Sequence, residues 1–269
     1  MKRDRRWTEL AMPWLSSDRA RGQVDLSFVC PVHNKKPYLA ALVASLVSQD
    51  IWARCELIAV ENESTDGSWE ELRAIVRTLP PQARRRIRLI RRRQANACLA
   101  RNAGMKVARG KYVSFLPADA VLYPGWARTW IEALDNNPQY GFVYGGYRLE
   151  PPGHIEVLES QEFDLERLKQ GNYIDGSFPL RRELYPWWNN GGYDPDIKSL
   201  QDWDFWLAVV LGKNGGGSGV AGLFLPGYAF AAAPPQPGGL TEDARANWQE
   251  RVRYIQRKWA ILPQTHTGD

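Results

Sequence analysis

The sequence predicts an α/β fold in which helices flank a mostly parallel central sheet. Strand-like and helix-like segments alternate four times between residues 24 and 134, which is the pattern of βα units in a parallel sheet. The strand-like segments are runs of apolar and β-branched residues, as expected of strands that are buried on both faces. The chain has 269 residues, of which 44% are hydrophobic, so it can bury a sizeable core.

The elements of the first half follow one another in a regular order. Pro37 opens the first helix and Pro80 follows the second, positions that suit a residue without a backbone N–H. The predicted strands are 24–30, 57–60, 87–90 and 111–116, and the predicted helices are 37–47, 68–79, 97–108 and 126–134.

The regular alternation ends after a predicted strand at 142–147. The remaining chain is richer in proline, glycine and aromatic residues, and its elements are shorter. We predict helices at 163–170, 200–211 and 243–259, a strand at 174–180, and one or two short strands within 220–230. The chain is therefore divided into a lead-in (1–23) and two halves (24–148 and 149–269) of one continuous domain.

The net charge of +5 arises from one segment in particular. Residues 84–93 read RRRIRLIRRR, with seven arginines around three aliphatic residues. We interpret the segment as a strand whose apolar side chains face inward while its arginines coat the outside. A patch for phosphates, an anionic membrane or nucleic acid is the alternative.

Hydropathy and cysteine content bear on location. The mean hydropathy is −0.45 and no apolar run is long enough to span a membrane. Cys30, Cys55 and Cys98 lack metal-ligand spacing and are predicted to be buried, reduced thiols. We expect a cytoplasmic protein, with peripheral membrane attachment as the alternative.

Polar residues follow the predicted strands at the edge where their carboxyl ends meet. PVHN (31–34) follows the first strand, ENESTDG (61–67) the second, and Asp119 lies in a turn after the fourth. Open α/β sheets bind their ligands at this edge. Helix capping explains the later residues of ENESTDG but not Glu61 and Asn62, which come too early.

The glycine-rich phosphate loops of known nucleotide folds are absent. The first strand is followed by PVHNKKP in place of G-x-G-x-x-G, and the sequence contains no P-loop lysine motif. These absences exclude a Rossmann dehydrogenase and a P-loop enzyme. A metal or arginines must neutralise the phosphates of any nucleotide that binds.

Six segments occur in the order found in one enzyme family. They are CPVHN, VENESTDGS, ARNAG, FLPADAVLYP, GGYDPD and QDWDFWLAV, and all of them lie between residues 24 and 212. In this order the chain resembles the inverting glycosyltransferases of family 2. The resemblance implies a nucleotide-diphospho-sugar transferase (glycosyltransferase A-type) fold, with the nucleotide-sugar in the first half and the acceptor in the second.

The resemblance also implies residue roles. Asn62 would contact the base, Arg101 the diphosphate, Asp119 a metal, and Asp202 would be the general base. The full set of implied donor-binding residues is Pro31, His33, Asn34, Glu61, Asn62, Arg101, Asn102 and Ala118. The implied acceptor-side residues are Gly191, Gly192 and Trp203.

The metal motif departs from the family pattern. Pro117 replaces the first Asp of D-x-D, and Ala120 replaces the acid that often follows it. The late segment YAFAAAPPQPGG lacks the His that often completes the metal site, and Gln201 replaces the Glu before the base. The expected cofactor is Mn²⁺ or Mg²⁺ held by Asp119, substrate phosphates and water. A metal-free enzyme that relies on Arg101 and other basic residues is the alternative.

The leading hypothesis is transfer of a sugar from a nucleotide-diphospho-sugar to an acceptor hydroxyl, with inversion. A non-catalytic nucleotide-sugar or glycan-binding module on the same fold is the main alternative, and a nucleotidyltransferase is a third. The acceptor stays open among a saccharide, a lipid-linked glycan, a protein and a modified nucleic acid.

Overall fold

The computed structural model describes residues 23–150, 155–189, 191–212, 219–234 and 247–261, and the backbone of residues 7–8. These residues form ten strands and eight α-helices. The strands are β1 (Trp7–Thr8), β2 (Leu26–Val32), β3 (Cys55–Asn62), β4 (Ile87–Arg92), β5 (Tyr112–Ser114), β6 (Ala120–Leu122), β7 (Tyr140–Leu149), β8 (Glu156–Leu158), β9 (Leu180–Arg181) and β10 (Ala221–Ala232). The helices are α1 (Leu39–Val47), α2 (Ser68–Thr78), α3 (Pro81–Arg84), α4 (Ala97–Met105), α5 (Trp126–Asn136), α6 (Leu165–Gln170), α7 (Gln201–Leu211) and α8 (Trp248–Lys258).

The strands form one sheet in the order β1-β4-β3-β2-β5-β9-β7-β10-β6, with β8 paired to β7. The neighbours β4, β3, β2 and β5 are parallel, as are β7 and β10. The other pairs are antiparallel. The predicted α/β class and flanking helices are confirmed, with a parallel first half inside a sheet that is mixed as a whole.

The core lies along the central parallel strands. Every residue of β3 is buried, and in β2 only Pro31 is partly exposed. Helix α4 packs closely on this pair: a Cβ added at Gly104 would lie 2.4 Å from a methyl carbon of Val29. Only glycine fits at this contact, so the ARNAG segment can lie directly on β2.

The predicted strand at 174–180 is wrong except at its end. Only Leu180 belongs to a strand, the two-residue β9, which lies between β5 and β7. The preceding residues form a turn in which Asp175 Oδ1 accepts a hydrogen bond from the backbone N–H of Ser177 at 2.8 Å. This local bond competes with strand pairing, and the following Gly176 adds flexibility.

Two further differences concern strands near the functional edge. Residues Ala120–Leu122, directly after Asp119, form β6 and pair with the end of β10. β10 itself is one long strand, with register shifts around Pro226 where a backbone donor is missing, in place of one or two short strands.

The arginine-rich segment forms β4 largely as interpreted. Ile87, Leu89 and Ile90 are buried. Arg92 differs from the interpretation, because it is only 6% exposed and its Nη1 donates to the backbone oxygen of Leu99 at 2.8 Å.

A buried ion cluster attaches α8 to α7 and to the GGYDPD segment. Lys258 Nζ lies 2.8 Å from Asp204 Oδ1 and 2.8 Å from Asp194 Oδ2. Trp259 Nε1 and Asn189 Nδ2 also donate to Asp204, at 2.9 and 3.0 Å. The predicted closing helix thus begins at Trp248, and its predicted first residues at 243–246 lie outside the described part of the chain.

Cys30, Cys55 and Cys98 are buried and unbridged, as predicted. Among the helices of the described ranges, none has the length and apolar character needed to cross a bilayer.

Candidate active site

Two loops at the carboxyl edge of the sheet are joined by hydrogen bonds. The backbone N–H of Thr65 donates to Asn34 Oδ1 at 2.8 Å, and the backbone N–H of Asn34 donates to Ser64 Oγ at 3.1 Å. His33 Nδ1 donates to the backbone oxygen of Asn62 at 2.8 Å, which fixes the proton on that nitrogen. The loops after β2 and β3 therefore form one wall, as their position predicts.

Glu61 and Asn62 are buried within this wall. Glu61 is fully buried, pairs with Arg91 Nε at 3.1 Å, and accepts a hydrogen bond from the backbone N–H of Ser64. This geometry makes Glu61 a structural residue, in contrast to its implied donor contact. Asn62 is 3% exposed, and its Oδ1 accepts from the backbone N–H of Asn96 at 3.3 Å.

Asp119 lies in the turn between β5 and β6, as the sequence predicts. Its Oδ2 is 2.5 Å from Lys35 Nζ, and the two side chains are 12% and 24% exposed. Ala118 beside it is buried, while Pro31 at the end of β2 is partly exposed. The sequence interpretation missed Lys35, although the basic pair in PVHNKKP is a visible signal.

The residues around Asp119 do not fit a divalent cation. Mg²⁺ and Mn²⁺ prefer several oxygen ligands in near-octahedral geometry. Pro117 and Ala120 offer no side-chain ligand, and the Asp119 carboxylate is paired with the Lys35 ammonium. Within the described ranges, no group of three or more His, Cys, Asp or Glu could hold a metal ion.

Arg101, on α4, contacts the start of α7 and the GGYDPD segment. Its Nη1 donates to Gln201 Oε1 at 2.9 Å, and its guanidinium lies 4.8 Å from the centre of the Tyr193 ring. Its Nε is buried and has no hydrogen-bond partner among the described residues. A phosphate group can supply that partner, because a guanidinium fork suits phosphate oxygens.

The charge of Arg101 affects two titratable groups of this region. Burial and the charge of Asp119 raise the pKa of the Cys30 thiol, while Arg101 lowers it. Arg101 also lowers the pKa of Asp202 against the effect of burial. The positive charge of Arg101 therefore acts on both the Cys30 thiol and the Asp202 carboxyl.

Asn102 has a structural role. Its Nδ2 donates to the backbone oxygen of Tyr193 at 2.8 Å, and its Oδ1 accepts from the N–H of Tyr193 at 2.9 Å and from the Tyr185 hydroxyl at 2.5 Å. The amide is thus occupied by the GGYDPD segment, in contrast to its implied donor contact. Gly191 and Gly192 have φ angles of 94° and 118°, which turn the chain there.

Asp202 lies in the first turn of α7 and is half-buried. Asn172 Nδ2 donates to its Oδ2 at 2.7 Å, and the backbone N–H of Trp203 donates to its Oδ1 at 3.0 Å. Burial, followed by the nearby charge of Asp175, raises the pKa of Asp202 to about 6. This carboxyl is ionised at neutral pH, yet it is far more basic than an ordinary aspartate.

The predicted strand at 174–180 includes Asp175 and begins just after Asn172, so the sequence does not predict the loop that carries these two residues. Gly176 in this loop lies against Asp202: an added Cβ would be 3.1 Å from Asp202 Cβ and 3.3 Å from Tyr193 Oη. The Tyr193 hydroxyl is buried and has no hydrogen-bond partner in the described part of the chain. The Asn-Tyr and Asp-Gly pairs are turn signals that could have identified the loop.

Trp203, by contrast, points into the core. Its side chain is fully buried, and its Nε1 donates to the backbone oxygen of Leu168 at 2.6 Å. It cannot contact an acceptor in this position. Trp187 and Trp188 expose 44% and 41% of their surface shortly before Gly191, so they are the accessible aromatic residues next to this segment.

Strained backbone occurs in the loops that bound this site. Asn34, Glu63 and Leu200 have φ angles of 51°, 62° and 60°, in the left-handed region that non-glycine residues rarely adopt. Leu200 directly precedes the helix that begins with Gln201 and Asp202. Such strain is typical of sites where geometry must be held for function.

Comparisons with known proteins identify the family and the fold. The model of glycosyl transferase family 2 matches residues 27–186. An uncharacterized glycosyltransferase of Haemophilus influenzae is 25% identical over 194 residues, covering 69% of this chain and 62% of that protein. YibD, an uncharacterized glycosyltransferase of Escherichia coli K12, is 35% identical over 99 residues, covering 37% and 27%. The chain thus spans less than two thirds of the length of these relatives.

Solved structures share the fold at low sequence identity. TarS 1–349 of S. aureus in complex with UDP-GlcNAc has a TM-score of 0.66 at 17% identity, covering 87% of this chain and 66% of that one. The mannosyltransferase PcManGT of Pyrobaculum calidifontis, in complex with GDP-Man and Mn²⁺, has a TM-score of 0.65 at 17% identity, covering 90% and 66%.

Proposed function

Because the chain belongs to glycosyl transferase family 2, we propose that it transfers a sugar from a nucleoside-diphospho-sugar to an acceptor hydroxyl, with inversion at the anomeric carbon. The observation that carries the proposal is Asp202, a half-buried carboxylate whose pKa is raised to about 6. The complexes of TarS with UDP-GlcNAc and of PcManGT with GDP-Man support this class of donor.

The donor binds at the carboxyl edge of the parallel strands. The wall made by the loops after β2 and β3 receives the nucleoside, with the imidazole of His33 and the amide of Asn62 at its end. The diphosphate lies toward Lys35 and Arg101, because these cations are the groups that attract its charge.

Asp202 removes the proton from the acceptor hydroxyl. The acceptor oxygen then forms a bond to the anomeric carbon from the face opposite the diphosphate, and the bond to the diphosphate breaks with its electron pair. General-base assistance of this kind contributes about 10²–10⁴-fold to a rate. Burial and Asp175 support the role, because they make the Asp202 carboxylate a better proton acceptor.

A divalent cation is the cofactor implied by the sequence resemblance, and PcManGT was solved with Mn²⁺. When bound, such a cation supplies Lewis-acid stabilisation of a departing diphosphate. The single carboxylate here, Asp119, is paired with Lys35 and does not fit that requirement. The mechanism proposed for this chain therefore uses only its own residues.

The test is sugar transfer from a panel of UDP- and GDP-sugars to a panel of saccharide and lipid-linked acceptors. Product configuration is read by NMR of the anomeric proton, and inversion is expected. Asp202→Asn should abolish transfer but retain donor binding. Asp196→Asn is the matched control, because Asp196 is exposed and lies in the nearby GGYDPD segment.

Retention of configuration, or full turnover by Asp202→Asn, would contradict the proposal. Donor binding without turnover in either protein would favour the non-catalytic binding module.

A further inference from the structure

The Lys35–Asp119 ion pair occupies the position that the sequence resemblance assigns to a metal. We infer that the Lys35 ammonium, in place of a divalent cation, stabilises the departing diphosphate, so that donor binding and transfer need no metal. This inference rests on the proposed function. Its basis is the 2.5 Å contact between Lys35 Nζ and Asp119 Oδ2, which links residues 84 positions apart.

Lys35 is held in place by its surroundings. Its backbone N–H donates to Ser68 Oγ at 3.0 Å, and its ammonium lies 5.5 Å from the centre of the Tyr38 ring. The left-handed conformation of Asn34 turns the chain just before it. A lysine fixed at its backbone and at its charged end loses less freedom when it binds an anion.

The charges at this position balance without a metal. Pro117 removes one carboxylate from the motif, and the remaining one, Asp119, is neutralised by a single ammonium. A divalent cation at Asp119 would lie beside the Lys35 charge and be repelled by it. Within the described ranges it would also find no group of three or more His, Cys, Asp or Glu side chains to hold it.

The Lys35 ammonium has N–H groups that do not donate to Asp119 and can donate to a phosphate. It carries three N–H groups, and Asp119 accepts from one of them. Arg101 supplies a second cation, with a buried Nε that has no partner among the described residues. When the bond between the anomeric carbon and the diphosphate breaks, its electron pair stays on the diphosphate oxygen. Lys35 and Arg101 donate hydrogen bonds to that group and keep their protons, while the acceptor proton goes to Asp202.

The experiment measures binding of UDP and of GDP by calorimetry, with the protein in EDTA and again in excess Mn²⁺. The wild-type protein should bind one of these nucleotides equally well in both buffers. Lys35→Gln should weaken binding in EDTA by about tenfold or more, the expected effect of losing a charge-assisted hydrogen bond. Lys35→Arg should restore it, since the positive charge is retained.

Two further variants separate this role from general effects. Lys36→Gln is the matched control, because Lys36 is the neighbouring exposed lysine and its ammonium lies near Gly67, away from Asp119. It should bind like the wild type. Asp119→Asn should retain metal-free binding with a small loss, whereas removal of a metal ligand would abolish Mn²⁺-dependent binding.

Thermal melting of each variant in the absence of nucleotide checks that it is folded. Wild-type binding that requires Mn²⁺, or unchanged binding by a folded Lys35→Gln variant in EDTA, would overturn the inference while leaving the proposed function intact. Absence of UDP and GDP binding under every condition would overturn both.

Discussion

Replacing Asp202 by Asn should stabilise the folded protein at neutral pH while it abolishes transfer. The pKa of Asp202 is raised from 3.8 to about 6 in the folded protein. The folded chain therefore binds this proton more tightly than the unfolded chain does. The favourable contribution of the protonated carboxyl is complete below about pH 4 and is lost as the pH rises through about 6.

The size of the effect follows from the same values. The difference between a pKa of 3.8 and one of about 6 means that the charged carboxylate lowers the free energy of unfolding at neutral pH by at most about 3 kcal/mol. The Asn variant carries no charge here, so burial does not lower its free energy of unfolding in this way. It is destabilised by about 1 kcal/mol for another reason, because its amide cannot accept both hydrogen bonds made to Asp202. A net gain of about 1–2 kcal/mol raises the Tm of a chain of this size by about 2–8 °C.

The assay is thermal melting of the wild type and the variant across the acidic range. The Tm difference should be positive near neutral pH and should disappear or reverse below about pH 4.5, where both side chains are uncharged. Asp196→Asn, at an exposed position, should melt within about 1 °C of the wild type at neutral pH. A variant that is destabilised equally at neutral and acidic pH would refute the reasoning, because the Asp202 charge would then carry no burial cost.

Three other substitutions have defined outcomes. Asp175→Asn removes a negative charge beside Asp202, which should lower the pKa of Asp202. The acidic limb of the pH profile of kcat/KM, which reports Asp202, should therefore move below about pH 6. An unchanged limb would show that Asp175 does not raise the pKa of Asp202. Asn102→Ala leaves three buried partner groups unpaired and should lower the free energy of unfolding by about 2–4 kcal/mol, measured by urea denaturation. Gly192→Ala should be at least as harmful in the same assay, because its Cβ would lie 2.2 Å from the Tyr185 ring at a φ of 118°; a wild-type midpoint would contradict this geometry.

The parallel half of the fold was predictable because its signals are local. The strands β2 and β3 are continuous apolar runs, and prolines mark the neighbouring helix boundaries. The loop at 174–179 was not predictable, because its buried Ile174 and Phe178 resemble a strand. Side-chain oxygens of Asn172 and Asp175 instead accept backbone N–H groups and make it a turn. Side-chain bonds of this kind leave little trace in an apolar pattern.

The loops at the carboxyl edge were predictable in position, but their individual contacts were not. Motif order predicts that Asp119, Arg101 and Asp202 lie at one edge of the sheet. It does not separate polar residues that face a ligand from polar residues that hold a loop, and Glu61 and Asn102 belong to the second kind. The partner of Asp119 is 84 residues away, and no local pattern encodes such a pairing.

The ion cluster of Asp194, Asp204 and Lys258 has a consequence for shortened versions of this protein. The family match ends at residue 186, which would suggest a convenient truncation point for expression. A fragment cut there would lack Asp202, and one that ends between Asp204 and Lys258 would leave two adjacent buried carboxylates without their cation. Removing one partner of such a group costs about 3–5 kcal/mol. Asp204 lies two positions after the proposed base, so the smallest fragment that keeps Asp202 in register extends through α8.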